Sequence, residues 1–335
     1  MILRALATFS LIIALIAPAA AQERVTVGTL RQASSGALFI AAAQGYFKAE
    51  GLDIEMTAYP SAQPVVEALS LGVTDFGLTD FTATAFNLAG KGAIKAIAAQ
   101  LREKRDYEGN EVIASNAAYS NGLHKLEDLA EKSVAISQLG SSLHYQLGQI
   151  ARAKRFDLAS ITLKPLQSPD AMARAVATGQ VDATILPAQY ARELLTASQA
   201  KLVGWYSELD EQQLGALFAS AKTLATRRAT VEKFVRAYRR GAADYATALL
   251  RRDRYGKRVS DAKSREAAMI IARYVYPGQS SGVATIEASA YFMDPQARLD
   301  FADIARQVEW YKAQGLVDSS VDARNVVDLT YTWTQ

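Results

Sequence analysis

The stretch Lys132–Phe156, KSVAISQLGSSLHYQLGQIARAKRF, decides the architecture. KSVAIS (132–137) is short, apolar and β-branched, as a buried strand requires. QLGSS (138–142) is a loop of small polar residues. LHYQLGQIARAKRF has helical composition, and the serines before it are placed to cap its first turn. Strand, glycine–serine loop and helix in that order open a parallel βαβ unit. ITLKPL, PDAMARAVATG and DATIL continue the series as strand, helix and strand, with Gly179 stopping the helix.

The same plan stands upstream. VTVGTL (25–30) reads as a strand, RQASSG as a loop and ALFIAAAQGYF as a helix. LDIEMTAY (52–59), DFGLTD (75–80) and IKAIAAQ (94–100) are further strands, with helices over PVVEALSLG and FTATAFNLAGKG between them. Ser34-Ser35 and Ser141-Ser142 both follow the first strand of their half, at an offset of 107 residues (141 − 34). Gly72-x-x-Asp75 and Gly179-x-x-Asp182 recur at the same offset (182 − 75 = 107). Two coincidences in matching elements predict two lobes built on one plan. Ligands of open α/β sheets bind beyond the carboxyl ends of the strands. Four loops lie there: Arg31 to Ser35, Asp80 to Thr82, Gln138 to Ser142, and Pro187 to Tyr190. Facing lobes would make them one cleft.

Other parts of the chain fix the setting. Arg4, the apolar run Leu6–Ala17 and Ala19-Ala20-Ala21 read as a secretory signal peptide over residues 1–21. No cysteine occurs, which excludes disulfides, a thiolate nucleophile, cysteine metal sites and a lipid-modified cysteine at the cleavage point. A soluble periplasmic protein is expected. The balance of 50% hydrophobic and 21% charged residues is that of a globular chain. A net charge of +3 spread along the sequence gives no nucleic-acid surface. From about Leu214 the chain turns helical, and TVEKFVRAYRRGAADYATALLRR carries Val231, Phe234, Val235 and Tyr238 on one face. Residues 262–335 read as further helices. The simplest division is a first lobe of residues 23–107 plus 206–335, with a second lobe, 108–205, inserted between two hinge crossings.

GYFKAEGLDIEM (45–56), EALSLGVTDFGLTD and DLAEKSVAISQLGSSLHYQL together resemble the nitrate/taurine/sulfonate class of substrate-binding proteins of ABC importers, which includes relatives of the fungal thiamine-pyrimidine synthases. The tail YKAQGLVDSSVD fits as well, and GYF-x-x-EGLD is the most specific piece. The resemblance implies a type II periplasmic-binding-protein fold, each lobe a mostly parallel sheet flanked by helices. It implies an ABC permease and a separate ATPase subunit as partners, and a small-molecule solute. A G-S-[ST]-S-H loop of that family falls on Gly140 to His144, with Leu143 in place of serine. A W-[DE]-P-[YF] segment falls on Pro187 to Tyr190 and keeps only Tyr190. A T-G-x-x-P segment falls on Thr79 to Ala83. The resemblance therefore carries the fold and leaves the solute open.

Chemistry separates the function classes. Ser142 and His144 mimic a hydrolase elbow, but residues two apart on a helix point to different sides. A helix N-terminus with free N–H groups instead suits an anionic ligand. Gly140, Ser141 and Ser142 offer one such place, and Ser34 and Ser35 another. Each serine pair alone would be an ordinary cap; at matched register on facing loops they are read as ligand contacts. Arg31 is either the fixed positive partner of that anion or a solvated loop arginine. Asp80 accepts from a ligand N–H or caps the next helix; Thr82 and Gln189 share the two loops. Phe81 and Tyr190 stack on a flat ligand or pack in their lobes. Trp205 and Tyr206 wall the cleft or join the core. No phosphate loop and no metal-ligand spacing occurs. The expected protein is a monomeric solute-binding component without catalysis, cofactor or metal. Its solute is expected to be a small organic anion, flat or aromatic where Phe81 and Tyr190 stack on it. Two rivals are a thiamine-pyrimidine biosynthesis enzyme of the same fold and a solute sensor docking on a membrane receptor.

Overall fold

The computed structural model describes residues 22–279 and 282–332, so the expected signal peptide lies outside the described residues. Two five-stranded sheets carry the fold. The first runs in the order Leu52–Tyr59, Glu23–Leu30, Phe76–Asp80, Gly215–Ser220, Ile94–Ala99. The second runs Thr162–Pro165, Ser133–Ile136, Ala183–Pro187, Asn110–Ser115, Ala200–Trp205. In each, the first three strands are parallel and the fourth is antiparallel to its preceding neighbour. In each, the fifth is antiparallel to the fourth. The expected βαβ units are present: four of the five strands in each sheet run the same way, and one antiparallel strand makes each sheet mixed.

The antiparallel strands are the ones the sequence reading lacked. GALFAS (215–220) is a short run of buried small and apolar residues, which periodicity alone does not distinguish from helix. It returns from the far side of the molecule to complete the first sheet.

The repeat is visible in individual hydrogen bonds. Thr26 N–H donates to Asp75 Oδ2 at 3.0 Å, and Ser133 N–H donates to Asp182 Oδ2 at 2.8 Å. These pairs keep the 107-residue offset (133 − 26, 182 − 75). Gly72 and Gly179 precede them with φ of 68° and 73°, a conformation that glycine adopts without strain. In both halves a carboxylate therefore ties the start of the third strand to the start of the first.

A small antiparallel sheet joins the two large ones. Leu101–Glu103 pairs with Gln212–Gln213 and with Phe292–Met293. The first two segments are where the chain passes from one large sheet to the other and back. Beyond them, the helix Arg228–Leu249 buries Val231, Phe234, Val235 and Tyr238 as its pattern requires. Phe234 stacks on Phe76 of the first sheet at 4.0 Å between ring centroids. The tail is less helical than expected. It holds the helices Ala262–Val275, Gly282–Ala288 and Phe301–Ala313, the strand Phe292–Met293 and irregular chain to 332.

The helix Phe301–Ala313 bridges the halves. Ile304 and Val308 pack with Phe81 and Phe86 behind the first sheet. Trp310 meets the edges of His144 and Tyr145 on the helix Ser142–Lys154, each at 5.3 Å. Tyr311 donates its hydroxyl to Ser141 O at 2.8 Å. Gly148 lies directly under the Trp310 ring, where any side chain would collide with it.

Candidate functional site

All four loops at the strand ends open onto one cavity of about 60 Å³ between the two large sheets. Leu30, Gln32, Ser34, Asp80 and Thr82 line it from the first half. Ser137, Gln138, Ser141, Ser142, Leu143, Pro187 and Gln189 line it from the second. Its floor comes from Leu101, Asn110 and Leu214 of the crossings and from Tyr291 of the tail.

Hydrogen bonds cross the cavity rim in both directions. Ala33 N–H donates to Gln189 Oε1 at 2.8 Å. Ala83 N–H donates to Gly140 O at 2.8 Å. Ser142 Oγ donates to Asp80 Oδ2 at 3.0 Å. Gly140 permits this approach: its φ is 77°, and a Cβ there would lie 2.8 Å from the Ala83 Cβ. The halves therefore meet in a closed arrangement.

The candidate side chains have separate fates. Ser34 is buried, lines the cavity and has an Oγ without a hydrogen-bond partner. Ser35 turns away, sharing a 2.7 Å hydrogen bond with Thr29 Oγ1 and donating to Leu30 O at 3.0 Å. Ser141 Oγ caps its helix by accepting from His144 N–H. Thr82 Oγ1 does the same for Ala85 N–H while still lining the cavity. Phe81 is core, 5.3 Å from both Phe86 and Phe218 and outside the cavity wall. Tyr190 packs against the core of the second sheet and also lies outside the wall. Neither ring is available to stack on a solute, because burying an aromatic face in its own sheet is the stronger demand. Tyr206 is likewise core, and Trp205 lines a separate surface pocket beside Arg192.

Arg31 is the main correction. It is exposed and borders a different surface depression, with Phe39 and Tyr274. Leu30, one residue earlier, ends the strand and lines the cavity, whereas Arg31 is the first residue beyond the strand and turns to the surface. Among the described residues, no lysine, arginine or histidine lines the cavity. The expectation of an anion held by Arg31 loses its charge partner.

The ionised chemistry of the site is acidic. Asp80 lies deep in the protein but stays partly open toward the cavity. Burial pushes its carboxyl up to about 6, against the Ser142 hydrogen bond, which favours the anion. Below it, Glu103 is fully buried, and desolvation pushes its carboxyl up to about 8. Glu103 Oε1 accepts from Asn110 N–H at 2.8 Å and from Gln146 Nε2 at 3.3 Å. Gln146 also donates to Gln212 Oε1 at 2.9 Å and accepts from Asn110 Nδ2 at 2.9 Å. Tyr291 donates to Asn110 Oδ1 at 2.6 Å. This network joins both crossings, the second half and the tail beneath the cavity.

The nucleophile reading fails on geometry. His144 Nδ1 accepts from Gly140 N–H at 3.1 Å, and burial lowers its pKa. Ser142 donates to Asp80 instead. His144 thus fixes the Gly140 turn and does not serve as a base for Ser142.

The sequence reading missed Ser61, Ala62, Pro169 and Met172, which also line the cavity. A signal existed: Ser61 and Ser168 sit at the helix starts after the second strand of each half, again 107 apart (168 − 61). Asn110 and Tyr291 carried no such signal, because one lies on a crossing and the other in the unrepeated tail.

The family described as NMT1/THI5 like matches residues 32–248, which span both sheets and the cavity. The chain belongs to this family. Comparison with curated proteins gives no match. Among solved structures, the ligand-binding component of an ABC-type import system from Staphylococcus aureus is 14% identical with a TM-score of 0.70, covering 92% of this chain and 98% of its own. The periplasmic aliphatic sulphonate binding protein SsuA from Escherichia coli is 16% identical with a TM-score of 0.70, covering 91% and 97%. The desulfurization enzyme DszB is 16% identical with a TM-score of 0.61, covering 92% and 97%. These likenesses establish the two-lobed periplasmic-binding-protein fold for this NMT1/THI5-like chain. Among its described residues, no helix is long and apolar enough to cross a membrane.

Proposed function

We propose that this NMT1/THI5-like protein is the solute-binding component of an ABC-type importer, capturing a small organic molecule between two lobes without catalysis. The observation that carries this is the cavity itself. It is built from strand-end loops of both sheets and crossed at its rim by hydrogen bonds from one half to the other. Such a site is complete only when the halves are together, so solute binding and closure are one equilibrium. Closure also forms a continuous surface from both halves for a permease to read, with the ATPase on a separate chain.

In this reading the lobes are residues 23–107 plus 206–335 and residues 108–205, with the hinge at the small central sheet. The protein works as a monomer in the periplasm, after removal of residues 1–21 and without a lipid anchor. A sensor that passes the closed surface to a membrane receptor would use the same geometry.

The test is native mass spectrometry of protein taken gently from its own periplasm. The expected result is a non-covalent small molecule whose removal lowers the melting temperature and whose return restores it. Turnover of that molecule, lost in Ser142→Ala, would contradict the reading.

A further inference from the structure

Resting on the capture reading, the cavity wall also selects the class of solute. Three observations bear on it. Among the described residues, no cationic side chain lines the cavity. Two of the helix starts that would attract an anion are already taken. At the start of the helix Ser142–Lys154, the Ser142 hydroxyl holds Asp80, so the protein's own carboxylate sits at the positive end of that helix. Ser141 Oγ is committed to His144 N–H, and the first N–H of the helix Ala83–Gly90 is given to Gly140 O. Finally, three polar groups on the wall have capacity left. Asp80 is partly open to the cavity, and the buried Ser34 hydroxyl and the buried Gln189 Nε2 have no protein partner.

We propose that Asp80 is the specificity-determining residue, and that the solute is a small nitrogenous molecule without net negative charge. It donates an N–H to the Asp80 carboxylate, and Ser34 supplies a second hydrogen bond from the same half. A sulfonate or carboxylate would meet a fixed like charge in a site that offers no cation to offset it, which is discrimination by repulsion. This departs from the aliphatic sulphonate named for the Escherichia coli neighbour. It also replaces the anion expected from the sequence.

Charge on Asp80 then makes capture pH-dependent. The titratable groups facing it are Glu103, Tyr291 and Tyr311, all with pKa values raised by burial. These three stay largely protonated between pH 5 and 7.5, while Asp80 ionises around 6. Affinity for a permanently cationic probe should therefore rise about tenfold from pH 5 to pH 7.5.

The experiment uses the full mature chain, stripped of bound solute, and matched small probes at constant ionic strength. Acetamidinium and imidazole are compared with acetate and methanesulfonate by saturation-transfer NMR and thermal shift. Acetamidinium should bind, tighten about tenfold between pH 5 and 7.5, and weaken about 10- to 100-fold in Asp80→Asn. The wild-type pH profile needs no variant, and Asp80→Asn keeps the Ser142 contact, so folding does not confound the result. Binding of methanesulfonate or acetate in preference to acetamidinium would overturn the assignment. So would binding of neither kind of probe, or a flat pH profile. In each of these cases a co-purifying solute that raises the melting temperature leaves the capture reading intact, whereas its turnover removes that reading.

Discussion

The loops Arg31–Ser35 and Gln138–Ser142 occupy equivalent places in the two halves and do different work. Each reaches across the cavity through its backbone: Ala33 N–H to Gln189, and Gly140 O from Ala83 N–H. Their serines diverge. In the first loop Ser34 is left free toward the cavity and Ser35 is locked inward. In the second, Ser141 caps and Ser142 reaches the opposite half. The strand ends diverge more. Asp80 ends the third strand of the first half, and its counterpart 107 residues on is Pro187. The repeat builds the scaffold, and departures from it set the charge of the site.

Breaking the shared part should cost the most. Asp75→Ala loses hydrogen bonds from Thr26, Thr223 and Arg227, and the Arg227 charge it neutralises. A loss of about 3 kcal/mol is expected. Asp182→Ala, which frees only Ser133, should lose about 2 kcal/mol. Urea unfolding of the two variants measures both. Equal and negligible losses would mean that the matched carboxylates do not hold the scaffold.

The divergent part should show itself through pH. Asp80 and Glu103 have folded pKa values near 6 and 8, above the usual carboxyl range. Over pH 5 to 8.5 these two groups therefore bind more protons in the folded protein than in the unfolded chain. The stability these groups contribute is present at low pH and lost as pH rises through those values. Asp80→Asn should raise stability at pH 7.5 by about 2 kcal/mol, and Glu103→Gln, whose shift is larger, by more, each flattening the profile. Chemical denaturation across this range checks it. A wild-type curve that climbs from pH 5 to 8.5 would contradict the assigned burial.

Smaller effects sharpen the contrast between the loops. Gly140→Ala forces a side chain into a left-handed backbone and against Ala83, and should cost about 1–2 kcal/mol, chiefly in the closed form. The matched Ala33→Gly should cost less than about 1 kcal/mol. Ser35→Ala should cost about 1 kcal/mol for its buried hydrogen bonds, whereas Ser34→Ala should be nearly neutral without solute. Thermal unfolding with and without the co-purified solute separates these cases. Ser34→Ala should then weaken the solute-induced shift, and Ser35→Ala should leave it in place.

Much of this fold was legible because the repeat is legible. The βαβ order, the four loops and the ties at Asp75 and Asp182 all lie inside two matched windows. The antiparallel strands 110–115 and 215–220 were hidden because each is short, buried throughout and paired with residues far away in sequence. At the site, spacing located the loops but not the side-chain directions. Arg31 and Phe81 are each the first residue beyond a strand end, one position from residues that line the cavity, and the turn of the chain there, which spacing does not reveal, decides where each side chain goes. Tyr291 and Glu103 were illegible for a different reason. They reach the cavity floor only once the tail has folded back over the crossings.

The central claim is that the two halves close around the solute. The chain has no cysteine, so spin labels at Pro60→Cys and Leu139→Cys, exposed positions on opposite halves beside the cavity, are unique. Pulsed dipolar spectroscopy should give a broad distribution of longer distances in stripped protein. Adding back the co-purified solute should collapse it to one short distance. An identical distribution in both samples would contradict the account.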